Sequence, residues 1–246
     1  MDNIRSVIQD GSALMGIELD DEKVSKLIIY ARVLKEWNEK INLTAITGDE
    51  DIAIKHFLDS LSALCTGKVK GRVIDVGTGA GFPGMVLKIA DPGIELTLLD
   101  SLNKRVTFLK ALGEETECEE VEYVHSRAED AGQNKLYREK FDTVVSRAVA
   151  NMTVLSEWCL PFVKPGGYFL ALKGPLAEAE LNDAKRAIHI LGGEVMDIFN
   201  VKIPYSDLEH KIIIVKKVRH TPMKFPRKPG IASKTSIESC YNLSKK

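Results

Sequence analysis

The chain has 246 residues, with 34 Lys and Arg against 35 Asp and Glu for a formal net charge of −1, and 44% of its residues are hydrophobic. That composition belongs to a soluble globular chain and excludes the disordered and disulfide-scaffold classes. The start, Met1-Asp-Asn-Ile-Arg-Ser6, is charged where a signal peptide is apolar, and the longest aliphatic run, Ile212 to Val215, is too short to span a bilayer, so no membrane partner and a cytoplasmic location are expected.

Helical periodicity dominates the first 65 residues. Val24, Leu27, Ile28, Ala31 and Leu34 recur at three- and four-residue steps after an Asp20-Asp21 start signal, and Ile52, Phe57, Leu58, Leu61 and Leu64 suggest a further helix running toward Gly67. At Arg72 the pattern changes to short apolar runs that alternate with helical stretches. Strands are predicted at Arg72 to Val76, Ile94 to Leu99, Val121 to His125, Phe141 to Ser146 and Gly167 to Leu172. Helices are predicted at Gly84 to Ala90, Asn103 to Leu112, after Arg127, at Val154 to Phe162 and at Leu176 to Leu191. Glu194 to Lys202 and Lys211 to Val218 complete the series as an antiparallel hairpin. The alternation implies an α/β fold with a mostly parallel, seven-stranded sheet and helices on both faces. The expected division is an N-terminal helical extension (1–66), an α/β domain (67–220) and a basic, proline-containing tail (221–246).

Charge is unevenly placed. Residues 216–246 hold nine Lys/Arg and one acid, net +8, against −9 for residues 1–215. Such a tail is either an anion-binding arm or a solvated terminus. Thr221 to Gly230, with three prolines and a glycine in ten residues, is expected to be extended and unpaired.

The most informative stretch is Arg72-Val-Ile-Asp75-Val-Gly77-Thr78-Gly79-Ala-Gly81-Phe82-Pro-Gly84, a strand running into a glycine turn that opens a helix. Glycines there let a ligand approach the main chain. Gly79 to Gly84 also satisfies the G-x-G-x-x-G dinucleotide pattern, and Asp100 falls at the distance of a ribose-binding acid. A carboxylate at Asp75 opposes a pyrophosphate and favours S-adenosylmethionine, which presents an ammonium and a sulfonium. Asp100, with Ser101 beside it, then accepts from the ribose hydroxyls or caps the next helix.

Several strings together resemble one family: Asn42-Leu-Thr44, Lys55-His56-Phe-Leu-Asp59-Ser60-Leu61, Asp75 to Pro83, Leu99-Asp-Ser-Leu-Asn-Lys-Arg105, Ser146-Arg147-Ala148, Ala171-Leu-Lys-Gly174 and Pro226-Arg-Lys-Pro-Gly230. The chain is similar, from about Asn38 onward, to the bacterial small-subunit ribosomal RNA guanine-N7 methyltransferases, also called the glucose-inhibited division protein B family. The resemblance implies a class I S-adenosylmethionine-dependent methyltransferase fold (Rossmann-like) with an N-terminal helical addition. It implies methylation of guanine N7 in 16S ribosomal RNA, with S-adenosylhomocysteine as product. It also implies cofactor contacts at Gly77, Phe82, Ala128, Glu129 and Arg147. The partner expected is small-subunit ribosomal RNA or the small subunit itself, with the protein a monomer that needs no obligate protein partner.

Each of these residues has a rival reading. Phe82 faces the cofactor or staples the loop to its helix; Glu129 reads the adenine or is a first-turn helix acid; Arg147 borders cofactor and guanine or makes a surface ion pair. His56 touches RNA or cofactor, or is a helix-surface histidine bonded to a neighbour. Asn42 and Thr44 read first as a turn. Lys173 and Lys104, with Arg105 and the tail cations Arg227, Lys228 and Lys234, are expected to form a basic rim for phosphate.

Missing motifs narrow the chemistry. Ser146-Arg147-Ala148-Val149 stands where exocyclic-amine methyltransferases carry an Asn/Asp/Ser-Pro-Pro-aromatic motif. Cys65, Cys118, Cys159 and Cys240 show neither an activated setting nor metal-ligand spacing, so neither a cysteine nucleophile nor a metal is expected. Guanine N7 needs no deprotonation, which makes alignment, with Arg147 as the principal catalytic residue, the expected source of rate. Two rival functions stand beside this one: a nicotinamide dehydrogenase, on the glycine pattern, and a non-catalytic RNA-binding assembly factor that retains the loop.

Overall fold

The computed structural model describes residues 2–147, 149–207 and 209–237. Helices α1 (Asp2–Leu14) and α2 (Asp21–Ile41) open the chain. Asp20 caps α2 by accepting the Lys23 N–H at 2.8 Å, and Asn42 closes it in a left-handed conformation (φ 50°). Where one helix toward Gly67 is expected, the chain winds in four pieces: α3 (Asp49–Ile52), a π-helical stretch (Ala53–Leu58), α4 (Asp59–Leu61) and a 3₁₀ stretch (Ser62–Thr66). The wider π winding changes which residues share a face, and buries His56 and Phe57 together.

Then follow β1 (Arg72–Val76), α5 (Gly84–Ala90), β2 (Glu95–Asp100), α6 (Asn103–Glu115), β3 (Val121–His125), α7 (Ala128–Gln133), β4 (Phe141–Arg147), α8 (Met152–Cys159), β5 (Val163–Lys173), α9 (Ala177–Ile190), β6 (Gly193–Lys202) and β7 (Glu209–Lys217). The sheet order is β3-β2-β1-β4-β5-β7-β6, parallel through β5, with β7 antiparallel to both neighbours. From β1 the chain runs outward to β3, then returns to place β4 on the other side of β1. The carboxyl ends of β1 and β4 therefore flank the switch point, where open α/β sheets bind ligands. Because β7 is antiparallel, its first residues come to that same edge.

Adjacent residues of β1 feed opposite faces: Val73 joins a core with α1, α2, α5 and α6, and Ile74 joins a core with α8 and α9. The N-terminal helices thus cover one side of the sheet. Tyr30 of α2, fully buried, donates its hydroxyl to the Ala80 carbonyl at 2.5 Å and ties this layer to the glycine loop.

The proline-rich segment departs from expectation. It forms no strand, but it is docked rather than free. Arg138 donates to the carbonyls of Thr221, Phe225 and Gly132, Phe225 is fully buried, and Gln133 donates to the Pro226 carbonyl at 2.8 Å. Backbone carbonyls without ladder partners need donors once buried, and a buried guanidinium supplies several at once. Cys240 and the last two lysines lie outside the described residues.

Candidate active site

A cavity of about 470 Å³ opens at the carboxyl ends of β1, β2 and β4. Its walls are the glycine loop (Gly77, Thr78, Gly79, Ala80, Phe82), Asp100 and Ser101 at the end of β2, Ser126 to Glu129 after β3, and Arg147 and Val149 at the end of β4 and just past it. Leu43, Thr44, His56, Arg105 and Trp158 close it. Of the eleven residues expected to hold a cofactor, all but Asp75 and Gly81 line it.

Those two act from behind. Asp75 is fully buried, and its Oδ2 accepts from Thr78 Oγ1 (2.7 Å) and from the N–H of Gly84 at the head of α5 (2.8 Å). Burial pushes its carboxyl up to about 6, against the opposing pull of those two donors. It does not line the cavity and orders the loop from behind, while its Oδ1 is buried with no hydrogen-bond partner among the described residues. Gly81 (φ +94°) passes so close to α2 that a Cβ would stand 2.5 Å from the Tyr30 hydroxyl. That position excludes any side chain.

Asp100, 2% exposed, accepts the Gly79 N–H through Oδ2 and the Leu102 N–H through Oδ1, both at 2.9 Å. It orders the loop while lining the cavity, and the residue capping α6 is Leu102. Glu129 is buried in the first turn of α7, and its Oε1 accepts the Gly230 N–H at 3.3 Å. The docked C-terminal segment thus reaches a cavity wall. The indole N–H of Trp158 is buried without a hydrogen-bond partner among the described residues.

Phe82 lines the cavity and joins the glycine loop to α2. It is buried, stacked on Tyr30 (centroids 5.2 Å, planes 5° apart), and it presents its other surroundings to His56 (4.4 Å, 20°) and Arg147, whose guanidinium carbon lies 4.9 Å from the ring centroid. His56 is not a surface histidine. Arg147 can only donate, so Nδ1 of His56 accepts from its Nη2 (3.3 Å), and Nε2–H donates to Thr44 Oγ1 (2.9 Å), which also accepts the Ile46 N–H. Burial and the Arg147 charge lower the imidazole to about 4, so it is neutral near pH 7. Asn42 ends α2, while Asn38 holds Leu43 and Thr44 in place through their N–H groups.

Arg147 makes a buried ion pair, not a surface one: Nη1 donates to Asp59 Oδ2 at 2.6 Å and to the Lys55 carbonyl at 3.2 Å. It stands between the first cavity and a second of about 600 Å³, whose walls include His56, Asp59, Lys173 and His210.

The expected basic rim is only partly assembled. Arg105 lines the first cavity, 3.4 Å from Asp100, and Lys104 points away to the Ile41 carbonyl. Lys173 borders the second cavity, but its ammonium is committed to the Ala150 carbonyl and to Glu180 at 2.7 Å. Arg227 is not a rim cation: it pairs with Glu157 at 2.6 Å, with the two side chains 10% and 2% exposed. Lys228 and Lys234 are exposed. No group of acidic, His and Cys side chains that could hold a metal occurs among the described residues, and no helix among them is long and apolar enough to cross a membrane.

The glycine loop allows a direct test. A Cβ at Gly79 (φ +61°) meets no protein atom within 4 Å and projects into open space beside the cavity. Gly79→Ala is expected to weaken S-adenosylmethionine binding about tenfold or more, by calorimetry, with a strain cost to the fold of about 1–2 kcal/mol.

The family model described as rRNA small subunit methyltransferase G (GidB) matches residues 23–209. The chain belongs to this family. Two curated relatives named ribosomal RNA small subunit methyltransferase G extend the match beyond that span. The protein of Alkaliphilus oremlandii (strain OhILAs) is 54% identical over 237 residues, 96% of this chain and 99% of its own. That of Alkaliphilus metalliredigens (strain QYMF) is 49% identical over 236 residues, 95% and 99% respectively. Among solved structures, a branched-chain polyamine synthase mutein from Thermus thermophilus shares the fold at 12% identity, with a TM-score of 0.58, covering 84% of this chain and 68% of that one. The class I methyltransferase architecture expected from the sequence is the one observed.

Proposed function

We propose that this chain methylates N7 of a guanine in 16S ribosomal RNA, with S-adenosylmethionine as donor. The observation that carries the reading is the placement of Arg147 between two adjoining cavities, one built from the glycine loop and one open on its far side. Family membership supports the substrate class, since the relatives carry ribosomal RNA small subunit methyltransferase in their names.

The first cavity suits the donor. It offers an open cradle at Gly79, carboxylates at Asp100 and Glu129, and an unpaired N–H donor at Trp158. When bound, S-adenosylmethionine supplies a methyl group on a cationic sulfur. The rest falls to the protein, which must hold a base in line with that methyl and exclude water.

Among the described residues, neither cavity carries a thiol. Cys159 is buried with its thiol pushed well above the ordinary value by burial, and burial likewise raises Cys65 and Cys118, none of which lines either cavity. That disfavours a pyrimidine C5 acceptor, which requires a thiolate. His56 has both ring nitrogens engaged, so it is no free base. N7 carries an available lone pair, and alignment alone is worth up to about 7–11 kcal/mol.

Small ribosomal subunits and naked 16S RNA, each incubated with the protein and labelled S-adenosylmethionine, test this. Label at N7 of one guanine, revealed by strand scission specific to 7-methylguanine, is expected on at least one substrate. Label on another atom, or on neither substrate, overturns the proposal.

A further inference from the structure

We infer that His210 is a positioning residue for Arg147, acting through the buried carboxylate of Asp59. The inference deepens the methyl-transfer reading and rests on it.

Three distant elements converge here. Asp59 begins α4, Arg147 ends β4, and His210 lies at the start of β7, one residue before the pairing of Lys211 with Lys173 at the end of β5. The antiparallel run of β7 is what delivers His210 to the carboxyl edge of a parallel sheet. Its Nδ1 lies 2.7 Å from Asp59 Oδ1, and Arg147 Nη1 lies 2.6 Å from Asp59 Oδ2. A carboxylate only accepts, so both neighbours donate, and each oxygen has its own fixed partner.

Asp59 is 4% exposed, so water does not readily replace a lost donor. Burial alone would raise its carboxyl; the His210 hydrogen bond, then the Arg147 charge, outweigh this and hold it below the ordinary value. A carboxylate gripped on one oxygen only can turn about its Cβ–Cγ bond, and the guanidinium bonded to the other oxygen would turn with it. With Oδ1 fixed by His210, Arg147 is held over Phe82 with its remaining bonds to Lys55 and His56. His210 is absent from the lining of the first cavity and lines the second, so the Arg147 resonances, read without substrate, separate an action through Asp59 from a direct contact with the acceptor.

The test compares His210→Ala, which removes the donor, with His210→Asn, whose amide N–H can stand in for Nδ1–H. Single-turnover methyl transfer at saturating cofactor and small subunits is expected to fall about tenfold in the alanine variant. S-adenosylmethionine affinity should stay within about twofold, and the asparagine variant should recover most of the rate. The guanidinium proton resonances of Arg147, read by NMR without turnover, should be protected in the parent and in His210→Asn, and broadened in His210→Ala. A purely structural role would lower melting temperature and active fraction in both variants alike. Parent-like rates and unchanged Arg147 resonances in His210→Ala would overturn the inference, as would an asparagine variant that is no better than alanine. If the parent itself transfers no methyl group to small subunits or to naked 16S RNA, the functional reading fails, while the Arg147 resonances still decide whether His210 positions that side chain.

Discussion

Arg147→Ala is expected to reduce single-turnover methyl transfer by about ten- to a hundredfold at saturating cofactor and RNA. The substitution removes charged hydrogen bonds to Asp59 and Lys55, the donor to His56, and the cation over Phe82. A hydrogen bond to a charged group is worth about 1.5–3 kcal/mol, which sets the range. The expected loss appears in rate more than in affinity, because Arg147 stands where donor and acceptor must be aligned, and misplacement there is felt in the transition state. Arg147→Lys is expected to recover little: an ammonium cannot reach Asp59 and His56 with separate arms or lie flat over a ring. The folded fraction must be measured beside the rate, since removal of one partner of a buried ion pair costs about 3–5 kcal/mol of stability, partly offset here because His210 still holds Asp59. A well-folded Arg147→Ala protein with the parent's single-turnover rate would remove this residue from the reaction.

The sheet and the cavity wall are legible for one reason: their signals are local. The strands Arg72–Val76 and Val121–His125 and the helix Gly84–Ala90 fall where expected, because each is an apolar run bounded by glycine, acid or proline. Gly77, Asp100, Ala128 and Arg147 each lie at or just past the end of a strand, and parallel strands deliver their ends to one edge. Sequence period does not tell which face of that edge a side chain serves. Asp75 reads as a ligand carboxylate from its place in the chain, yet it points beneath the loop. Asp59 stands inside a string that carries the family resemblance, and nothing local marks it as the partner of Arg147. His210 has no signal at all, since its role depends on the antiparallel direction of β7. Thr44 reads as a turn residue and is that, but the π winding of Ala53–Leu58 brings His56 against it. Arg227 reads as a cation for RNA phosphate because its partner, Glu157, lies 70 positions earlier.

Arg227→Ala is therefore expected to act on stability, and the exposed lysines on RNA. Arg227 meets both oxygens of Glu157 through Nε and Nη2, at 2.6 to 3.1 Å, while its own backbone N–H donates to the same carboxylate at 2.8 Å. Truncation leaves a nearly inaccessible carboxylate with one donor where it had three, a loss of about 3–5 kcal/mol by the behaviour of broken buried pairs. Chemical denaturation should show that loss, and limited proteolysis should find the 221–237 segment released. Cofactor affinity should weaken as well, because Gly230 then no longer closes on Glu129 at the cavity wall. Lys228→Ala combined with Lys234→Ala should leave the denaturation midpoint unchanged and flatten the plot of log RNA affinity against log salt. Two phosphate contacts on a single-stranded region correspond to a slope change of about 1.4. The two variants thus separate the docked part of the tail from the part expected to meet RNA. An Arg227→Ala protein with the parent's denaturation midpoint would show that the buried pair contributes nothing, and a double lysine variant with the parent's salt slope would leave Lys228 and Lys234 as solvated cations on a structural strap.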